Sequence, residues 1–500
     1  MIDFAELMEG AEAPRIEGDT VVKGLDYDSR RIKPGYAFVA MKGESTDGNR
    51  YIDAAIAAGA SAVVTDSAEE PKRGGVAWAQ VAHGRRALAR LSANFYKRPA
   101  ERLRVTGVTG TNGKTTTAFI TEALLQSAGR RNALLGTIEY HLPGQTIASP
   151  HTTPESLELN QVFAEALSLG ATEAVMEVSS HALAQERVYA VPFDVAVFTN
   201  LTRDHLDYHH TMEEYFAAKR VLFEGCGTFP PRVAILNGDN EAGRKIAGFS
   251  RAKTLSEVYL YGLEKGDFTA QGLKSTAEGN RFTLTTPDGK IEVRSPLLGV
   301  VNVYNGLAAA AACWARGLKL EQIAKGLASF RRVPGRFERV DEGQPFAVVV
   351  DYAHTDDALR NLTRLGREFA GRAGRVITVF GCGGDRDRSK RPLMGQAAGE
   401  GSDLAIVTSD NPRSEDPLAI INDSLPGVQR SGVKYSVEVD RRKAIAMAIN
   451  EARSGDIVLL AGKGHEKTQT TRAGIVPFDD VEVAHEELRR AGYAAEEGTR

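Results

Sequence analysis

Cysteine is nearly missing from this chain: three in 500 residues, Cys226, Cys313 and Cys382, far apart and without a C-x-x-C pair. That spacing excludes a disulfide framework and a cysteine zinc site, and it fits a reducing compartment. Long apolar runs are missing too. The longest, 307–315, is alanine-rich and stops at Arg316, far short of the ~20 residues that a membrane span needs. No charge of one sign dominates, because 62 Lys and Arg stand against 65 Asp and Glu for a net charge of −3. A chain-wide field for nucleic acid or an anionic membrane is thereby excluded, and any anionic ligand has to be held by a local site. The first twenty residues carry several acids and no unbroken apolar stretch, which argues against a secretory signal. A soluble, cytoplasmic protein is expected.

What is present is ordinary globular material, 42% hydrophobic and 25% charged, in a chain too long for one core. Residues 1–100 alternate short β-type runs (GYAFVAM, SAVVTDS) with Ala-rich helical ones, and Pro99 marks a break; a small α/β domain is expected. From 101 to 333 the runs LRVTGVTG, ATEAVMEVSS, FDVAVFTN and RVAILNGD alternate with helical stretches, the pattern of a mostly parallel sheet covered on both faces. NRFTLTTPDGKIEVRS alternates with period two around Pro287-Asp288-Gly289, which predicts an inserted β-hairpin. From 334 to 500 the alternation restarts with FAVVVDYAH, RVITVFGCGG, LAIVTSDNPR and DIVLLAGKG, a third, Rossmann-like doubly wound unit. The expected fold class is therefore α/β in three domains.

The sharpest local signal is TGTNGKTTT at 109–117, between a β-type run and a helical one. Gly107, Gly110 and Gly113 remove side chains where amides would approach phosphate oxygens, Lys114 can reach the terminal phosphates and the Thr115 hydroxyl can take a magnesium position. Val108 stands where the usual P-loop has its first glycine. Glu177 and the run NLTRDHLDYHH end the next β-type segments, so they are expected on the same sheet edge. Asp351, Tyr352, Ala353 and His354, then Arg386, then Arg413 stand at strand ends of the third unit. Guanidinium forks there suit an anionic substrate, although each arginine taken alone reads as a surface ion-pair partner.

Together TGTNGKTTT, MEVSSHAL, FTNLTRDHLDYH, DYAHTDDAL, FGCGGDRDRSKRP, TSDNPR and AGKGHE, in this order, resemble the Mur ligases, and within them the branch that adds 2,6-diaminopimelate. The resemblance implies an N-terminal domain for a uridine nucleotide, a central P-loop ATPase and a C-terminal amino-acid-binding domain. It implies addition of meso-2,6-diaminopimelate to the D-Glu side-chain carboxylate of UDP-N-acetylmuramoyl-L-Ala-D-Glu, through an acyl phosphate, in peptidoglycan synthesis. ATP and Mg2+ are the implied cofactors, small molecules the only implied partners, and a monomer the expected state.

By resemblance, Ser29, Glu44, Ser45 and Thr46 would contact the UDP end, and Thr152, Thr153, Ser179, Gln185 and Arg187 the muramoyl dipeptide. His151 stands where relatives often have Asn. Gly110, Thr111, Asn112, Gly113, Lys114, Thr115 and Thr116 would bind ATP phosphates, with Asn302 and Arg336 at the adenine and phosphate sides. Thr115, Glu177, His205 and a carbamate on Lys219 would surround magnesium; by residue type alone Lys219 reads as an exposed helix lysine. Arg386, Asp410, Asn411, Pro412, Arg413, Gly462 and Glu466 would hold diaminopimelate, whose carboxylate beyond lysine's suits Arg413. Lys114, Glu177, Lys219, His205 and His354 are the expected catalytic group. Lysine-adding Mur ligases and folylpolyglutamate synthases remain alternatives, although the DSR segment at 28–30 and the DNPR motif argue against the latter. A P-loop switch protein is the alternative from another class.

Overall fold

The structure, a computed structural model, describes residues 1–43, 46–68, 75–276 and 278–493. Three sheets organise it, one per domain. In the first, Arg15–Glu17, Ala77–Gln80, Ala62–Thr65, Tyr36–Ala40 and Gly24–Asp26 lie side by side, parallel except at the Arg15–Glu17 edge. Helix Gly84–Phe95 packs Ala87, Leu88 and Leu91 on it. Pro99 is more than a break. After Arg98 turns left-handed (φ 51°) it opens a further helix, Pro99–Arg102, as proline at a first helical position can.

Eleven strands form the central sheet, with Arg104–Thr109 between Glu173–Glu177 and Phe193–Phe198. Both neighbours run parallel to it, so Glu177 and the chain after Phe198 emerge beside the glycine loop. Each face is covered. On one, Ala308 to Ala312 of helix Val300–Ala315 pack with Leu124 and Leu125 of helix Lys114–Ser127; the alanine run is a core helix whose small side chains let two helices approach. On the other, Leu159 and Phe163 of helix Ser156–Ser168 are fully buried, and truncating a phenylalanine so placed costs about 3–5 kcal/mol. The strands Gly279–Thr286 and Gly289–Ser295 pair through Thr286 and Gly289, leaving the expected Pro287-Asp288 turn. They are not a separate insertion: Gly279–Thr286 also pairs with Phe268–Thr276, which runs parallel to Glu257–Gly262 and so extends the central sheet.

The third sheet has the order Glu338–Val340, Ala347–Asp351, Ile457–Ala461, Val376–Phe380, Leu404–Val407, Lys434–Val437. Helices Asp356–Ala370, Arg391–Gly401 and Pro417–Ser431 bury Leu362, Met394 and Ile421 on one face, while Arg441–Glu451 and Asp480–Arg490 bury Ile445 and Leu488 on the other. Asp356 simply begins its helix, capped by the Thr355 hydroxyl. Two hairpins lack a counterpart in the sequence reading, Glu139–Leu142 with Gln145–Ala148 and Thr468–Thr471 with Gly474–Pro477. Among the described residues no helix is long and apolar enough to cross a membrane.

Candidate active site

The loop between Arg104–Thr109 and Lys114–Ser127 is held by backbone and hydroxyl contacts. Gly110 has φ 147° and Gly113, the residue capping the helix, has φ 85°; a Cβ would lie 1.9 Å from Thr199 Oγ1 at the first and 2.5 Å from Asn305 Oδ1 at the second. Only glycine meets both demands. Gly107 is different. It sits inside the strand, where a Cβ would lie 2.7 Å from the Phe193 ring, so it makes room for a neighbour and is no part of the loop. The amides of Thr111 and Asn112 donate to Asn200 O (2.8 Å) and Asn200 Oδ1 (3.0 Å), and Thr111 Oγ1 meets the Tyr215 hydroxyl at 3.1 Å.

Lys114 folds over this loop, donating to Gly110 O and Thr111 O at 3.0 and 2.9 Å; burial pushes its pKa below the ordinary lysine value. Thr115 donates to Glu177 Oε2 at 2.9 Å, and the same carboxylate accepts from the Thr137 amide at 2.7 Å. Lys219 is not the exposed lysine its residue type suggests. It is 1% exposed, donates to Gly110 O at 2.8 Å and lies 4.5 Å from the centre of the Tyr215 ring. Burial, with Lys114 nearby, holds its pKa well below the usual value.

Lys114, Thr115 and Glu177 open into a cavity of about 640 Å³ between the central and C-terminal domains, lined also by Thr111, Asn112, Gly113, Thr116, Thr152, Thr153, Ser179, Arg187, His205, Asn302, Arg336 and His354. Arg336 donates to Thr115 Oγ1 at 3.2 Å and stacks 4.6 Å from the Tyr352 ring centre, while its Nε is buried with no hydrogen-bond partner among the described residues. Asn302 is anchored to Leu298 O and accepts from Asn305. Thr153 Oγ1 donates to Glu177 O and accepts from the Ser179 amide. Arg187 donates to Thr153 O at 3.1 Å and to Gln185 Oε1 at 2.6 Å. His151 also lines the cavity, its carbonyl accepting from the Tyr140 hydroxyl.

A second cavity, of about 300 Å³, is lined by Arg386, Asp410, Asn411, Arg413, Gly462 and Glu466. Three strand-end loops of the C-terminal domain supply these residues. Asn411 donates to Glu466 Oε2 at 2.7 Å, and Lys463, fully buried, reaches both Glu466 Oε2 (3.1 Å) and Asn411 Oδ1 (3.3 Å). Burial raises the pKa of Glu466 but Lys463 and the Asn411 bond outweigh it, so the carboxyl stays below its usual value. Burial and Arg386 lower the pKa of Arg413, whose backbone is left-handed (φ 54°) and whose guanidinium is braced by Gly384 O at 2.7 Å. A Cβ at Gly462 would lie 2.6 Å from Asp410 Oδ2. The two cavities share His181, Asp204, His205, Tyr352, His354 and Arg386, so they are contiguous.

Models of three families match: the Mur ligase family catalytic domain over residues 21–96, the Mur ligase middle domain over 108–313 and the Mur ligase glutamate ligase domain over 335–464. The UDP-N-acetylmuramoyl-L-alanyl-D-glutamate–2,6-diaminopimelate ligase of Solibacter usitatus is 52% identical over 497 residues, covering 98% of this chain and 99% of its own. This chain belongs to the Mur ligase family. The ligase of the same name from Geobacillus kaustophilus is 46% identical over 480 residues, covering 95% and 96% of the two chains. A solved structure of a ligase so named superposes with a TM-score of 0.67 at 34% identity over 95% of this chain and 96% of that one. The three-domain α/β architecture is thus that of Mur ligases, which form amide bonds.

Not every expected contact converges in this Mur ligase. Ser29 begins the 3₁₀ turn Ser29–Arg31, and Thr46 O accepts from the Gly43 amide; both belong to the N-terminal domain and line neither cavity. Glu44 and Ser45 lie outside the described residues. Gln185, Gly110, Lys219 and Pro412 line neither cavity; Gln185 braces Arg187 and the Gly110 carbonyl accepts from both lysines. Of the four groups expected around magnesium, Thr115, Glu177 and His205 line the first cavity, and Lys219 lies outside its lining. Thr115 touches Glu177, His205 lies 3.3 Å from Asp204, and Lys219 bonds Gly110; among the described residues no three His, Cys, Asp or Glu side chains are placed to hold a metal. Asp204, Lys390, Thr137 and Lys463 were passed over in the sequence. Lys463, between two glycines in a strand-end motif that already supplied Gly462 and Glu466, carried the signal; Thr137 carried none.

Proposed function

We propose that this Mur ligase is a cytoplasmic, monomeric ATP- and Mg2+-dependent enzyme that joins meso-2,6-diaminopimelate to the D-Glu side-chain carboxylate of UDP-N-acetylmuramoyl-L-Ala-D-Glu in peptidoglycan synthesis. The observation that carries this reading is that the two cavities adjoin, sharing His354 and Arg386 in their walls. A carboxyl group activated beside the glycine loop and an amine held beside Arg413 would occupy adjoining cavities.

ATP enters as the activating substrate. The D-Glu carboxylate oxygen attacks the γ-phosphorus, the bond to ADP breaks and an acyl phosphate forms. The diaminopimelate amine then adds to the acyl carbon, phosphate leaves with the C–O electron pair, and the amine gives up a proton. Lys114 and Arg336 neutralise charge on the transferred phosphoryl group. Arg336 lines this cavity and its Nε has no hydrogen-bond partner among the described residues. Arg187, with Thr152, Thr153 and Ser179, orients the muramoyl dipeptide, whose uridine end extends to Ser29 and Thr46. Asp410, Asn411, Arg413, Gly462 and Glu466 with Arg386 hold diaminopimelate, and Asp351 and His354 contact substrate or phosphate. Mg2+ would be held by the Thr115 hydroxyl and Glu177 carboxylate together with phosphate oxygens, an oxygen donor set suited to that ion, and supplies charge neutralisation when bound. His205, which lines both cavities, completes its surroundings.

Lys219 would carry a carbamate. Its depressed pKa raises the fraction present as neutral amine, the form that attacks CO2, forming N–C and releasing a proton. The anion so produced would lie beside Lys114 and the cation.

ADP release from the UDP-muramoyl dipeptide is measured with diaminopimelate and with lysine side by side. Release with diaminopimelate well above that with lysine is expected. Equal rates would sink the choice of amino acid, and release indifferent to both substrates would make the protein a nucleotide-driven switch.

A further inference from the structure

Helix Ser156–Ser168 starts with an acid that does not cap it. Glu155 occupies the capping position, yet its carboxylate accepts no amide of the first turn. It is used elsewhere: Oε1 lies 2.9 Å from Arg187 Nε and Oε2 lies 3.3 Å from Arg85 of the N-terminal domain. The three side chains are only 20%, 16% and 20% exposed for Arg187, Glu155 and Arg85, so solvent screens the contacts weakly.

The same helix reaches the N-terminal domain a second time. Glu158, in its first turn, accepts from the Tyr27 hydroxyl at 3.1 Å and lies 3.4 Å from Arg31, the last residue of the turn Ser29–Arg31. Acids at a helix N-terminus are favoured by its dipole. From the other side the N-terminal domain grips the loop that carries Arg187: Arg85 donates to Gln185 O at 3.3 Å and Arg86 to Glu186 at 2.9 Å. Glu186 is left-handed, φ 55°, a conformation that a non-glycine residue keeps only where its surroundings impose it.

We propose that Glu155 is a positioning residue: it aims Arg187 at the muramoyl-dipeptide carboxylate and, with Glu158, ties that arginine to the N-terminal domain that holds the uridine end. Both ends of one substrate are thereby read by a single rigid connection. This rests on the function proposed above. Without the Glu155 charge two guanidinium groups face each other and Arg187 keeps only Gln185 and the Thr153 carbonyl, so it adopts several orientations.

The experiment is steady-state ADP release by the full chain carrying Glu155→Gln, with each of the three substrates varied in turn. The expected result is a KM for the UDP-muramoyl dipeptide raised about tenfold, with those for ATP and diaminopimelate within twofold, and recovery of most of the loss in Glu155→Asp. Arg85→Met shifts the same KM in the same direction, and adding it to Glu155→Gln costs little more, because the two act through one contact. An unchanged dipeptide KM, an equal rise in all three KM values, or additive losses would each overturn the proposal. Should thermal melting find Glu155→Gln unfolded, Glu155→Asp and Arg85→Met decide by the same KM split. Absence of ADP release in the unaltered chain is a separate outcome that sinks the substrate reading itself.

Discussion

The glycine loop and the arginine-lined cavity, the two sites proposed to hold an anion, both stand at the carboxyl ends of parallel strands and are built from opposite materials. The loop at residues 110–116 is one contiguous segment, pinned by amides, carbonyls and hydroxyls from 199–202 and by Thr111 against Tyr215. The second site is gathered from loops at 381–386, 408–413 and 462–466, and it is pinned by charges: Lys463 with Glu466, and beneath them Arg441 with Asp480 at 2.6 Å, both fully buried. A phosphate chain is bound well by backbone dipoles that need no particular side chain. Choosing among amino acids takes side chains fixed in place, and fixing charged side chains takes buried partners, since removing one member strands the other.

The contrast breaks first at Lys219, which belongs to the loop in space although not in sequence. Lys219→Ala is expected to lower kcat by about 10²–10³-fold, with partial return on adding formate or acetate; full activity would show that no anion is needed there. Next comes selectivity between the sites. Arg413→Ala is expected to raise the KM for diaminopimelate by about 30- to 150-fold, or about 2–3 kcal/mol, and to leave the KM for ATP within twofold. Equal changes in both would mean that the cavities are not distinct. The smallest effect sharpens the loop itself: Gly107→Ala is expected to cost about 1–3 kcal/mol of stability through its clash with Phe193, read by denaturant unfolding, without changing the KM for ATP, whereas Gly113→Ala raises that KM. A rise in both would return Gly107 to the phosphate loop.

Legibility followed the same division. TGTNGKTTT could be read because its strand, turn and helix are consecutive, and only the role of Gly107 misled, since a strand glycine and a loop glycine look alike until Phe193 is found against one of them. The strand-end positions of Arg386, Asp410, Arg413 and Glu466 were also legible, by counting apolar runs, but their joint enclosure of one cavity was not. Thr137 was missed because its partner, Glu177, is far away in the chain, whereas Lys463, three residues before Glu466, stood in a motif already in view.

The alternation of apolar runs and glycine breaks was enough to determine three α/β units and the edges on which their polar groups would stand, because strand and helix periodicity are local properties. Folding alone decided that Lys219 is buried, that Glu155 joins arginines from two domains, and that two cavities adjoin. Burial and electrostatic environment depend on what distant segments bring within a few ångströms, and that distance is written nowhere along the chain.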